Sequence, residues 1–164
     1  VYPDQCFIVV SIGEQRLRLH DHERVVFDCC VSTARNGPGE LYGSECTPRG
    51  WHIIRAKIGA GCPKNTVFAG RRATGETFNS ELRRREPNRD WILTRILWLS
   101  GLERGRNRLG SVDTMRRYIY LHGCPEDVPM GVAGSHGCIR MRNDDVIALF
   151  ERVDVGTRVL VEDD

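Results

Sequence analysis

The stretch HGCPEDVPMGVAGSHGCIRM, residues 122 to 141, carries the tripeptide His-Gly-Cys twice, as His122-Gly123-Cys124 and as His136-Gly137-Cys138. Thiols and imidazoles this close together suit two chemistries. A thiol attacks a carbonyl carbon as thiolate, provided a neighbouring base takes its proton. Two His-x-Cys couples could instead supply a Cys₂His₂ set to zinc. The intervening PEDVPMGVAG holds no further Cys or His, and zinc knuckles use tighter Cys-x₂-Cys loops, so nucleophilic catalysis is the stronger reading and no metal or other cofactor is expected.

The second copy has the better surroundings for a nucleophile. Gly137 permits a tight turn, and its missing side chain opens the backbone to a substrate carbonyl. The N–H groups of Gly137 and Cys138 could then face a developing oxyanion, where fixed dipoles contribute several kcal/mol. A helix is predicted over residues 143–153. Asn143 is its expected N-cap, Asp144 and Asp145 fill the first turn, and Val146, Leu149 and Phe150 share a face. Its positive end adds to the case for a thiolate at Cys138. His122 is expected at the end of a strand over residues 118–121, a rigid mount for a base. Cys124 precedes Pro125, which argues that the strand stops there. Cys138 is therefore assigned as nucleophile and His122 as base, with His136 expected to shape the turn.

The elements that must hold this pair are mostly strands. Alternation over residues 5–11, 15–20 and 24–31 predicts a three-stranded meander. Residues 34 to 50 are loop by their Gly and Pro content, and WHIIRAKI is a further strand. Residues 59 to 90 have weak periodicity and read as a surface excursion that carries function or conceals short elements. WILTRILWLS and RRYIYLHG are predicted strands, and GTRVLVED is the last. One domain spans 1–164, mainly β, with a single clear helix near the C-terminus.

Composition narrows the partners. A net charge of +2 is too small to argue for nucleic acid. The arginine clusters at Arg83 to Arg85, Arg104 to Arg108 and Arg116-Arg117 have few aromatics between them. Lys57 and Lys64 are the only lysines, and arginine suits planar anions, so one cluster is expected to bind substrate carboxylates. No apolar run spans a membrane, since Arg95 interrupts WILTRILWL. Seven cysteines without regular spacing make a poor disulfide framework and lean toward a reducing cytoplasm. The chain begins at Val1, so a periplasmic location after removal of a leader is the alternative. Cys6 and Cys29 are read as packing, Trp91 and Trp98 as core, and His20, His22 and His52 receive no role.

The segment from His122 through SHGCIRM resembles the signature of the YkuD-type L,D-transpeptidases, cysteine enzymes of bacterial peptidoglycan. TPRGWHI at 47 to 53 and the closing VDVGTRVLV are similar to further parts of the same pattern. The resemblance implies a β-sandwich or barrel-like catalytic fold. It implies that Cys138 forms an acyl-enzyme, that His122 is its base, and that the Gly123 carbonyl holds the imidazole. It further implies that Arg140 organises substrate or oxyanion, while Ser135, His136 and Gly137 shape the pocket. The substrate would be a peptidoglycan tetrapeptide or muropeptide, cleaved between diaminopimelate and D-alanine. Two departures stand out: twelve residues separate His122 from Ser135, and position 124 is Cys in place of a hydroxyl or amide residue. The segment 59 to 117 is similar to a cytosolic branch that trims stem peptides with water. L,D-carboxypeptidase action in wall recycling is therefore the expectation, with amine-accepting cross-linking as the alternative.

Overall fold

A computed structural model describes residues 6–164; Gln5, where the first predicted strand begins, lies outside them. The chain opens with β1 (Phe7–Ser11), β2 (Arg16–Asp21) and β3 (Arg24–Cys30), paired antiparallel in sequence. Their alternation has the anticipated consequence: Ile8, Val10, Leu17 and Leu19 are buried, with Val9 and Arg18 between them on the other, half-buried face. After the loop come β4 (Gly50–Ile58), the hairpin of β5 (Thr66–Ala69) and β6 (Arg72–Thr77), and the short helix α1 (Ser80–Arg85). Then follow β7 (Ile92–Gly101), β8 (Tyr120–Gly123), β9 (Ile139–Met141), helix α2 (Asn143–Arg152) and β10 (Arg158–Glu162).

The strands form one mainly β sheet in the order β3-β2-β1-β10-β4-β7-β5-β6, with β8 also on β7 and β9 on β8. β10 is the seam: it runs parallel to β1 and antiparallel to β4. The chain just after β3 returns to β9 through bridges Ser32↔Arg140 and Ala34↔Ser135, so the sheet curls around its core without closing into a barrel. Into that curl α2 sets Val146, Leu149 and Phe150, beside Leu97, Leu121, Ile139 and Met141. The long strand β7 is central. It pairs with β4 on one edge and with β8 on the other, and so carries the site-bearing strands.

Two expectations change, while the 59–90 excursion conceals short elements as read from its sequence. The 59–90 excursion contains the β5–β6 hairpin and α1, which Asn79 caps by accepting the Leu82 N–H at 2.8 Å. Periodicity could not reveal β6, because nearly all of its residues are exposed. The predicted strand at 118–121 starts later. Residues up to Tyr118 are turn, with Arg117 N–H bonded to the Asp113 carbonyl and Tyr118 at φ +55°. The N-cap of α2 is Arg142, and no side chain caps that end. Asn143 is instead buried: it accepts from Thr94 Oγ1 at 2.6 Å and donates to the Cys124 carbonyl and to Glu126, each at 2.9 Å. A polar side chain that satisfies several buried groups is worth more there than as a cap, because each orphaned group carries a desolvation cost.

Candidate active site

β8 and β9 run parallel in the register Leu121↔Ile139, His122↔Arg140, Gly123↔Met141. Side chains alternate between faces along a strand. Leu121, Ile139 and Met141 enter the main core, while Tyr120 and Cys138 pack in a separate cluster with Phe68 and Ile96. Cys138 is the residue just before β9 and so lies beside Tyr120, whose N–H is 3.3 Å from its sulfur. His122 stands two residues beyond Tyr120 on the same strand and therefore on the same face. The two residues assigned to attack and to proton transfer thus share one surface of a two-strand ladder.

His122 is 1% exposed, and its Nδ1 lies 2.7 Å from the carbonyl of Gly123. A carbonyl only accepts, so Nδ1 carries the proton and Nε2 is left as the base, the tautomer being assigned from this bond. Position 123 has room only for glycine: a Cβ there would fall 2.3 Å from Asn143 Oδ1 and 2.7 Å from the Leu93 carbonyl. The neighbour that sterically requires glycine is therefore the same Asn143 that gathers Thr94 and Cys124.

The nucleophile turn is built from side-chain bonds. Ser135 Oγ donates to the Cys138 carbonyl at 2.5 Å and accepts the Gly137 N–H at 3.2 Å. Thr47 Oγ1 donates to the Gly137 carbonyl at 2.9 Å and accepts the Ala34 N–H at 3.0 Å. Gly137 itself has φ +127°, and a Cβ would press on Ile119 and the Cys46 carbonyl at 3.2 and 3.3 Å. The Gly137 N–H, expected to face an oxyanion, is thus engaged by Ser135. His136, expected to shape the turn, is exposed to solvent while Ser135 and Thr47 make the bonds.

Charges frame the pair on two sides. Arg140 is bound to Asp90 at 3.1 Å and to the Gly134 carbonyl at 3.2 Å, and lines a cleft with Arg83, Trp91 and Cys124. Arg117 is half-buried and donates to the carbonyls of Gly39 and Cys46 at 3.2 and 2.6 Å, fastening the 34–47 loop beside Cys138. Burial pushes the Cys138 thiol up to about 12, against the pull of the Tyr120 N–H and the nearby Arg140 and Arg117. Burial also pushes His122 below its usual range, which the Gly123 carbonyl and Asp90 partly oppose. At neutral pH the resting pair is therefore a thiol and a neutral imidazole. The thiol donates toward the Tyr118 carbonyl at 3.4 Å. Cys138 keeps partial exposure, so a substrate can reach it.

The other cysteine of the doubled tripeptide is turned inward. Cys124 is buried, donates to the Met141 carbonyl at 3.4 Å, and is pushed up to about 11 by burial. Among the described residues no three of His, Cys, Asp or Glu gather as a metal-binding group, and Cys124 and His136 point to different environments. Sequence reasoning missed Arg117, Asp90 and Tyr120 as neighbours of the thiol. The Arg116-Arg117 pair was visible as charge, but nothing local marks Asp90, which reaches Arg140 across fifty positions of chain.

A sheet that presents a cysteine on the same face as a carbonyl-oriented histidine holds the parts of a thiol nucleophile and its base. The chain belongs to the YkuD family, the L,D-transpeptidase catalytic domain, which it matches over residues 6–161. The Bacillus subtilis protein YqjB is 50% identical over 44 residues, covering 27% of this chain and 25% of that protein. The Escherichia coli protein named probable L,D-transpeptidase YbiS is 49% identical over 43 residues, 26% of this chain and 14% of that one. The matched parts are thus a quarter or less of those relatives' lengths. Among solved structures, an L,D-transpeptidase from Mycobacterium smegmatis superimposes with a TM-score of 0.57 at 17% identity, over 96% of this chain and 58% of that one. L,D-transpeptidase 3 from Mycobacterium tuberculosis, in complex with a faropenem-derived adduct, gives 0.56 at 18% identity, over 96% and 60%. These likenesses establish the fold. Among the described residues no helix is long and apolar enough to cross a membrane.

Proposed function

We propose that this protein transfers a peptidyl group from peptidoglycan stem peptides through a thioester on Cys138, with an amine as the usual acceptor. The observation that carries the reading is the parallel β8–β9 register, which sets Cys138 and His122 on one face two residues apart. The transpeptidase names of the curated relatives favour an amine over the water expected of a trimming enzyme.

In the first half-reaction the Cys138 sulfur bonds to the carbonyl carbon on the L-centre of diaminopimelate as its proton passes to His122 Nε2. The carbonyl π pair moves to oxygen. The Cys138 N–H is the donor that this turn offers the oxyanion, with Gly137 N–H held by Ser135 at 3.2 Å. Collapse breaks the carbon–nitrogen bond, and His122 returns its proton to the departing D-alanine. In the second, the acceptor nitrogen attacks the thioester, gives a proton to His122, and the sulfur leaves to recover it. A neutral resting pair suits this sequence, because His122 must begin unprotonated.

A disaccharide tetrapeptide incubated with the protein, its products resolved by mass, tests the reading. Dimers formed with loss of D-alanine support it. Tripeptide alone would assign water as acceptor and restore the trimming reading, and an unchanged substrate would refute both.

A further inference from the structure

Immediately beside the thiol, on the side away from His122, stands a cluster that the acyl-transfer chemistry does not use. Tyr118 and Tyr120 are the two residues whose backbones touch the Cys138 sulfur. Their rings, with that of Trp98, form an aromatic wall: Trp98 lies 6.1 Å from Tyr118 and 6.3 Å from Tyr120. Arg71, at the tip of the β5–β6 hairpin, rests on this wall. Its guanidinium is 4.5 Å from the Tyr118 ring centre and 5.1 Å from that of Trp98, and it donates to Tyr120 Oη at 3.2 Å. Arg55 from β4 also sits on Trp98, at 5.4 Å.

Two guanidinium groups are therefore gathered on one indole. Among the described residues no carboxylate forms an ion pair with either guanidinium, whose contacts are to the aromatic rings and to Tyr120 Oη. Like charges repel, and cation–π contacts of about 0.5–1 kcal/mol at exposed sites do not by themselves call for two cations. A planar anion beside either guanidinium would neutralise its charge and use the fork geometry of arginine. Tyr118 is 51% exposed and leaves the wall open to solvent.

We infer that Arg71 and Arg55, held on the Trp98–Tyr118–Tyr120 wall, form a subsite for a free carboxylate of the peptide whose carbonyl is presented to Cys138. The inference rests on the acyl-transfer reading above and adds to it the charge of the substrate. Arg71 is the principal contact, since Tyr120 fixes its orientation about one tyrosine side chain away from the sulfur. The two stem-peptide carboxylates nearest the scissile bond are the one on the side chain of diaminopimelate and the one at the D-alanine terminus. The subsite chemistry is the same for either.

Steady-state rates on three tetrapeptides settle the matter: the free acid, one amidated at the diaminopimelate side chain, and one amidated at the C-terminus. Wild-type protein should prefer the free acid over one of the amides by roughly tenfold in kcat/KM, mostly through KM. That amide names the carboxylate. In Arg71→Gln the ratio should collapse toward one, with Arg71→Lys between, and Arg55→Gln should lower it in part. A wild-type protein indifferent to both amidations, or a preference that survives in Arg71→Gln, would overturn the subsite. Alkylation of Cys138 in each variant shows that the site is intact. If no tetrapeptide yields an acyl-enzyme, the acyl-transfer reading itself has failed, which is a distinct result from turnover without discrimination.

Discussion

The N–H of Tyr120 lies 3.3 Å from the sulfur of Cys138, across the seam where β8 meets the strand that Cys138 leads into. That bond places the thiol at the step of the ladder just before Leu121↔Ile139, and the period of two then brings His122 to the same face. The chemistry follows from the register. A slip of one residue between β8 and β9 would send either the sulfur or the imidazole into the core beside Leu121.

The pH dependence follows from a pair that is neutral at rest. His122 is held below its usual range by burial, so the acid limb of kcat/KM should have its midpoint below 6.5. The thiol is pushed up to about 12, so no ionisation of free Cys138 should bend the profile between pH 7 and about 10. A pH–rate profile checks both limbs. An acid midpoint above 6.5 would mean that the imidazole is stabilised in its charged form.

The two cysteines of the doubled tripeptide should separate cleanly. Cys138→Ala should abolish turnover. Cys124→Ala removes a small buried side chain and should cost about 1 kcal/mol of stability while leaving most of the activity. Iodoacetamide labelling followed by peptide mapping should find Cys138 modified well before Cys124 in the native protein.

Asn143 is a stability residue with the site resting on it. Asn143→Ala would remove the acceptor of the Thr94 hydroxyl and a donor to the Cys124 carbonyl, both buried, and open space against Gly123. The expected loss is about 3 kcal/mol, a fall in Tm of roughly 10 °C for a domain of this size. Scanning calorimetry measures it, and a change under 1 kcal/mol would show that these groups find other partners.

Acid should destabilise the fold before its carboxylates titrate. His52 is buried between the Gly50 carbonyl and Thr114 Oγ1, and burial lowers it from 6.5 to about 4. Between those values the unfolded chain binds a proton that the native state excludes, so stability falls as pH drops through 6.5 toward 4. The loss is about 3 kcal/mol from this group at 1.36 kcal/mol per unit, with His122 acting in the same direction. Urea unfolding at pH 7 and pH 4.5 tests this, and His52→Gln should flatten the difference.

What the sequence disclosed, and what it concealed, has a physical pattern. Strands with one buried face, such as β2 and β10, announce themselves by alternation, and the Cys138–His122 assignment rests on residue chemistry and a resemblance, to which the structure adds that the two share a face. β6 left no hydrophobic trace because it faces water, although the tip of its hairpin delivers Arg71 to the site. Asn143 fitted the pattern of a cap because caps and buried amide hubs use the same residue type, and only long-range partners such as Thr94 distinguish them. Arg117 and Asp90 act on the thiol from distant positions of the chain, so no local spacing marks them. The preference for water as acceptor came from likeness of a connecting segment rather than from the residues that perform the reaction.

The most direct test of the central claim is to trap the acyl-enzyme. Protein mixed with tetrapeptide and quenched in acid should gain the mass of the donor less D-alanine, and digestion should place that mass on Cys138. A His122→Ala variant should accumulate far less of it. An adduct on Cys124 or any other thiol, or turnover that persists in Cys138→Ala, would contradict the account.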